Sequence, residues 1–307
     1  MCKTVFLFSG QGSQYSGMGR ELYELYPETS QIYDCGSEIL GFNLKKACFE
    51  GTEAELAQTA VSQPAIFATS LCALACVRAN GLEAQAVAGH SLGEYAAMVA
   101  SGMLSMEDGF RVIKERSRAM QACAEQQDGG MAAVLGLESD IIARVCAQTE
   151  GYVVPVNYNS PAQTVIAGDN AAVSRAMERF AEMGKKSVRL QVAAAFHSKL
   201  MQPAADAFYQ AVQGTAFAAP SCAFYSNVTG GVLEEQTDMP AYLARHLTSP
   251  VLFVDELNAL WNAGYTRFIE LGPNKVLTGL VKKTLKEADA YAVENQKTLE
   301  KLLSAQV

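Results

Sequence analysis

A serine hydroxyl becomes a useful nucleophile only when the backbone holds it clear of its neighbours and a base can take its proton. Gly89-His90-Ser91-Leu92-Gly93 meets the first condition: it follows the apolar run Ala86-Val87-Ala88 and opens the helical stretch Glu94 to Ala100. In that strand-to-helix context Gly-x-Ser-x-Gly reads as a nucleophile elbow, with the serine on a strained turn and small neighbours relieving the crowding. The helix that starts here points its first N–H groups at the same place, so the Leu92 amide is a candidate for holding an oxyanion. The plainer alternative is a glycine-rich turn with an incidental serine.

Three histidines could serve as the base. His90 adjoins Ser91, but a residue beside the nucleophile on a sharp turn projects elsewhere. His246 lies in a helix-like run ending Arg245-His246-Leu247, and His197 sits in Ala194-Ala195-Phe196-His197-Ser198, opening a further helix. Position favours His197 without eliminating the others; a histidine bonded to backbone at a helix start is the competing account. Phe8-Ser9-Gly10-Gln11-Gly12-Ser13-Gln14 follows the first strand but lacks both the Gly-Lys-Ser/Thr and GxGxxG patterns, so a phosphate cradle is disfavoured. It reads instead as a loop over the open end of a sheet, with Gln11 available to a pocket. Arg111, Arg116 and Arg118 share one amphipathic helix, where solvated arginines are the rule and sequence alone does not separate them.

These residues need a scaffold that brings distant segments together. The 307 residues suffice for one large α/β body or a main domain with a smaller insertion. Strand-like runs at Thr4–Phe8, Ala86–Ala88, Ala223–Ser226 and Arg267–Glu270 alternate with helical stretches at Pro64–Asn80, Leu92–Ser101, Met106–Ala124, Ser198–Gln213 and Asp255–Asn262. That alternation predicts a parallel sheet covered by helices. Between residues 129 and 191 the rhythm shortens to β-α-β-β-α-β, the pattern of a small antiparallel sheet with two helices on one face. The expected division is therefore a catalytic domain from 1–128 and 192–307 with a subdomain at 129–191.

Composition narrows the function classes. Half the residues are hydrophobic, which excludes a disordered chain, and a net charge of −8 disfavours broad attraction to nucleic acid or an anionic membrane. The initial Val5-Phe6-Leu7-Phe8 run is too short for a signal peptide, and Gln63-Pro64 divides the uncharged stretch Val61 to Val77, so a buried helix opening at Pro64 is expected rather than a membrane span. The eight cysteines are dispersed and form no CxxC pair, implying reduced thiols and a cytoplasmic address. Cys72 and Cys76 fall on one helix face in an Ala/Leu-rich run with no histidine nearby, so core packing is expected there and no metal site.

Taken together, Gly10-Gln11-Gly12-Ser13-Gln14, Gln63-Pro64-Ala65, Gly89-His90-Ser91-Leu92-Gly93-Glu94, Arg116, Phe196-His197-Ser198 and Glu270-Leu271-Gly272-Pro273 resemble the malonyl-CoA:acyl carrier protein transacylases, almost end to end. The resemblance implies an α/β-hydrolase-like core with an inserted ferredoxin-like subdomain. It also implies Ser91 as nucleophile, His197 as base, the amides of Gln11 and Leu92 as oxyanion hole, and Arg116 with Gln63 at the substrate. The carbonyl that orients the histidine would lie just after Ser249-Pro250-Val251, at Leu252. The implied reaction moves a malonyl group from malonyl-CoA to the phosphopantetheine thiol of acyl carrier protein, by a monomer that needs no cofactor of its own. Where fatty-acid enzymes of the family commonly carry Gly-Pro before Phe-His-Ser, this chain has Ala194-Ala195, a form also found in polyketide-type transferases. The pathway expected is fatty-acid synthesis; a discrete malonyl acyltransferase of a polyketide synthase, an acyl-thioester hydrolase and a non-catalytic carrier-docking module are the rival readings. An acidic carrier protein facing a net-negative enzyme needs a local basic patch. Lys185, Lys186 and Arg189 are one candidate, and Lys282, Lys283 and Lys286 another.

Overall fold

Val5-Phe6-Leu7-Phe8 is apolar at every position, and the computed structural model places it inside a sheet covered on both faces. The structure describes residues 3–192 and 194–305; Cys2, expected as a reduced thiol, lies outside them. The strands are β1 (Lys3–Phe8), β2 (Ala86–Gly89), β3 (Gly129–Leu135), β4 (Val153–Ser160), β5 (Gln163–Asp169), β6 (Lys186–Arg189), β7 (Ala223–Ser226), β8 (Gly231–Val232), β9 (Tyr265–Leu271) and β10 (Asp289–Val293). The larger sheet runs β10-β9-β1-β2-β7-β8, parallel except for the last strand. Phe6 and Phe8 pack with Val87 and Ile269 on one face, while Val5 and Leu7 pack with Ala86, Ala88 and Phe268 on the other. A parallel sheet buried on both faces needs continuous apolar strands, and β1 supplies one.

The second sheet is antiparallel in the order β4-β5-β3-β6, with helices Ser139–Ala147 and Asn170–Glu182 between its strands in sequence. Ala132, Val134 and Ile166 face those helices, whereas Met131, Ala133, Val165 and Ala167 join the core of the larger unit. Strand β4 is also stitched to the main body at Val251, whose N–H donates to Val156 O at 2.7 Å and whose carbonyl accepts from Tyr158 N–H at 2.9 Å. The smaller unit therefore shares one face with the larger, and a cleft forms along that seam.

Two expectations need correction. The helix expected to open at Pro64 starts at Thr59 and runs through the proline to Ala79. Pro64 leaves the Ala60 carbonyl without its helical N–H, a cost that this nearly wholly buried helix recovers by packing. Because the helix continues through Gln63-Pro64, it is long and apolar enough to cross a bilayer, but it lies inside the protein. Edge strands β8 and β10 escape the sequence reading because one is two residues long and the other buries only Val293 fully.

The elbow depends on two missing side chains. A Cβ at Gly93 would run into the carbonyl oxygen of Phe8 at the end of β1, and a Cβ at Gly89 into the backbone of Gly93. Gly214, by contrast, has open space around it. Gly93→Ala should therefore cost at least about 2 kcal/mol of unfolding free energy, against less than about 0.5 for Gly214→Ala. Equal denaturation midpoints for the two variants would show that the backbone approach is not needed.

Candidate active site

Ser91 stands where β2 turns into the helix Gly93–Ala100, with φ at 51°, in the left-handed region that few non-glycine residues adopt. Its Oγ lies 2.7 Å from Nε2 of His197. On the far side of that imidazole, Nδ1 meets the carbonyl oxygens of His246 and Ser249, each at 3.1 Å. Two acceptors at Nδ1 require the proton there, which leaves the Nε2 lone pair facing the serine hydroxyl. Burial first, then the charges of Arg116 and His90, push His197 down to about 3, so its imidazole is neutral at ordinary pH.

The orienting carbonyl is not that of Leu252, as the sequence reading expects. Residues around Val251 pair with β4, and Leu252 then caps the helix Phe253–Asn262: its carbonyl accepts from Glu256 N–H at 3.0 Å and its N–H donates to Asn227 O at 2.9 Å. The backbone facing His197 is thus reached three residues earlier, at Ser249, with a second contribution from His246. The other two histidines have separate positions. His90 directs Nε2 to Asn159 Oδ1 on β4 at 2.7 Å, and the fully buried His246 ring stacks on Tyr242.

The structure separates the three arginines that sequence left equivalent. Arg111 and Arg118 form exposed pairs with Asp108 and Glu115, whereas Arg116 is 1% exposed. Its Nη2 donates to Ser91 Oγ at 3.1 Å, its guanidinium lies 5.1 Å from the centre of the Tyr95 ring, and its buried Nε has no partner among the described residues. Among the described residues no carboxylate forms an ion pair with it, so this buried cation beside Ser91 is an incomplete ion pair.

The Gln11 loop is fastened from three directions. Ser9 Oγ donates to Glu270 and to the Pro273 carbonyl, Asn274 Nδ2 donates to Ser13 O, and Gln14 Nε2 donates to Leu56 O. Glu270 also accepts from the N–H groups of Leu277 and Thr278, so the Glu270-Leu271-Gly272-Pro273 motif anchors the loop while capping the helix Val276–Thr284. Among the described residues neither the Gln11 backbone N–H nor the Leu92 backbone N–H donates to a protein group, whereas the Gln11 side chain donates to Thr59 Oγ1. Gln63 reaches the site indirectly: it is fully buried behind Gln11 and donates to Gln11 Oε1 at 3.1 Å. A cleft of about 620 Å³ opens over Ser91, its walls including Gln11, His90, Met120, Met131 and Phe196.

Asn227 and the buried acids around it carry no motif that sequence reasoning could use. The Ser91 N–H donates to Asn227 Oδ1 at 2.6 Å, and Asn227 Nδ2 donates to Gly89 O and Glu256 Oε2 at 2.7 and 2.6 Å. Glu94 accepts from the Asn227 N–H and from Tyr242 OH. The only sequence signal is polar residues in otherwise apolar surroundings, Ser226-Asn227 after β7 and Glu94 directly after the elbow.

Comparison with known proteins places the chain in a family. The family model described as an acyl transferase domain matches residues 5–301. The Bacillus subtilis (strain 168) malonyl CoA-acyl carrier protein transacylase is 39% identical over 98% of this chain and 96% of its own length. The polyketide biosynthesis protein ThaF of Burkholderia thailandensis is 38% identical over 92% of this chain, which spans only 24% of that protein. Among solved structures, the malonyl CoA-acyl carrier protein transacylase of Clostridium perfringens superposes with a TM-score of 0.95 at 36% identity, covering 99% of this chain and 97% of that one. A malonyl-transacylase in complex with a type II polyketide acyl-carrier protein superposes with a TM-score of 0.94 at 32% identity, covering 99% of each chain. Their agreement over nearly the whole length, together with the buried serine–histidine pair, establishes that the chain belongs to the malonyl-CoA:acyl carrier protein transacylase family of acyltransferases.

Proposed function

We propose that this protein transfers a malonyl group from malonyl-CoA to the phosphopantetheine thiol of an acyl carrier protein, by way of a malonyl ester on Ser91. The observation that carries the malonyl assignment is Arg116, buried against Ser91 Oγ, whose Nε has no hydrogen-bond partner and which forms no carboxylate ion pair among the described residues. A guanidinium accepts a carboxylate through two parallel charge-assisted bonds, so an acyl group ending in a carboxylate completes the ion pair.

In the first half-reaction Ser91 Oγ attacks the thioester carbonyl while His197 Nε2 takes its proton. The amides of Gln11 and Leu92 receive the oxyanion, and the thiol of CoA departs with the proton from His197. In the second, the carrier thiol gives its proton to His197 and attacks the ester, and Ser91 recovers its hydrogen. The steps use no cofactor of the enzyme's own. We place this activity in fatty-acid chain extension in the cytoplasm, since the chain matches the Bacillus subtilis transacylase nearly end to end and its seven described cysteines are free thiols.

Topology favours the first of the two basic clusters. Strand β6 ends at Arg189 and leads directly into Leu190, Gln191 and Val192 on the cleft wall. The helix Val276–Thr284 instead leaves the site end of β9, carrying Lys282 and Lys283 towards the opposite end, where Asp289 pairs with Arg267. Lys186→Glu with Arg189→Glu should slow transfer to carrier protein while leaving acylation by malonyl-CoA intact; Lys282→Glu with Lys283→Glu should change neither. The reverse pattern would move the docking face to the other end of the sheet.

Mass spectrometry after mixing with malonyl-CoA should show one malonyl group on Ser91, and the unmodified mass would remove the proposal. Carrier protein should then take up that group; release mainly as free malonate would favour the hydrolase. Arg116→Ala should lower malonyl acylation about 100-fold and narrow the preference over acetyl-CoA. Unchanged selectivity would place the carboxylate elsewhere. With the free-enzyme His197 held near 3, kcat/KM for acylation should stay flat from about pH 8 down to about pH 5, with no fall through the ordinary imidazole range. A carboxylate on Arg116 offsets one of the charges that depresses His197, so the inflection in kcat should lie at higher pH than that in kcat/KM. An imidazole-like inflection near pH 6.5 in kcat/KM would contradict this account of the base.

A further inference from the structure

The reading of Ser91 as the acylated residue leaves open what keeps a non-glycine residue in the left-handed region at the right height beneath His197. At φ 51° the Ser91 N–H turns inward, towards Asn227, and a buried amide left unpaired there would be destabilising. Asn227, fully buried, takes that N–H on Oδ1 at 2.6 Å and gives Nδ2 to the Gly89 carbonyl at 2.7 Å, spanning the elbow from both sides of Ser91. The orientation of its amide is fixed, because the serine N–H needs an acceptor and the glycine carbonyl a donor. Its main chain extends the link: the N–H donates to Glu94 on the helix behind the elbow, and the carbonyl accepts from Leu252, three residues beyond the Ser249 carbonyl that orients His197.

We propose that Asn227 is the positioning residue of this site, setting the nucleophile elbow against the backbone that orients the base. By engaging the Ser91 N–H it also keeps that amide out of the oxyanion site, leaving the role to Leu92 and Gln11. Asn227 touches no substrate atom; it acts through Ser91 and through the 249–252 segment. The inference rests on the acylation reading above, and its test separates the two.

Single-turnover acylation of Ser91 by malonyl-CoA, followed by rapid quenching and mass spectrometry, should be compared in wild type, Asn227→Ala and Asn227→Asp. Losing the clamp should lower the limiting acylation rate about 100-fold, the scale of a misplacement of about 1 Å, with the half-saturating malonyl-CoA concentration changed less than about threefold. The aspartate variant retains an acceptor for the Ser91 N–H but turns an oxygen on the Gly89 carbonyl. It does so among Glu94, Glu256, His246 and Tyr242, with the Arg116 charge beyond Glu94. Its carboxyl can copy the asparagine only when protonated, so its rate should approach that of wild type at low pH and fall as pH rises, where wild type stays flat. Asn227→Ala acylating within threefold of wild type, or an aspartate variant with the wild-type pH profile, overturns the proposal. If Asn227→Ala does not fold, the aspartate pH profile alone decides. Failure of wild type itself to acylate would remove the underlying reading instead.

Discussion

The site turns on a hydrogen bond of 2.7 Å between two residues 106 positions apart, Ser91 Oγ and His197 Nε2, in a place almost closed to water. Such a pair activates the serine only if the imidazole is neutral and presents the correct nitrogen. Both conditions are met by backbone and burial, without a carboxylate behind the ring. Two carbonyls hold the proton on Nδ1, and desolvation together with the nearby Arg116 opposes a second proton. A carboxylate in the carbonyls' place would raise the basicity of the ring and attract a proton to it. The arrangement thus keeps the imidazole neutral without a carboxylate.

Behind the nucleophile lies a buried polar layer whose charges oppose one another with pH. Burial raises Glu94 to about 8, although the Asn227 N–H, Tyr242 hydroxyl and Arg116 pull the other way. Burial and the proximity of Glu94 hold Glu256 well above the usual carboxylate range. Groups raised in this way contribute stability that is present below the unfolded value of 4.5 and lost as pH rises through the folded one. Burial depresses His90, His197 and His246, and depressed histidines act in the opposite sense, losing their contribution as pH falls below 6.5. Between pH 4.5 and 6.5 the two sets change stability in opposite directions, and above 6.5 only the carboxyls continue to lower it.

The parts legible in sequence are those written into local chain geometry. Gly89-His90-Ser91-Leu92-Gly93 announces a strand-to-helix turn because no side chain fits at either glycine, and the continuous apolar run of β1 announces a doubly covered strand. The smaller sheet is equally readable from its short alternating elements. Contacts between segments distant in sequence were not legible. Nothing near Ser249 marks its carbonyl as an acceptor for His197, since every residue has one, and the family resemblance pointed three residues too far along, to Leu252. Arg116 could be distinguished from Arg111 and Arg118 only by resemblance, because its burial depends on helix packing rather than on its neighbours. Asn227 was invisible for the same reason: its importance lies in what it meets at Gly89, Ser91 and Glu256.

The seam between the two sheets explains why the smaller unit belongs to the site. Val251 pairs with β4 two residues after Ser249 turns its carbonyl to His197, and His90, one residue before Ser91, is bonded to Asn159 on the same strand. Strand β4 thus bears on both halves of the catalytic pair, one through the backbone that orients the base and the other through the elbow. Met131 on β3 faces the main core across the seam and lines the cleft beside Phe196. The wall of the cleft and the alignment of Ser91 with His197 therefore rest on the same antiparallel sheet.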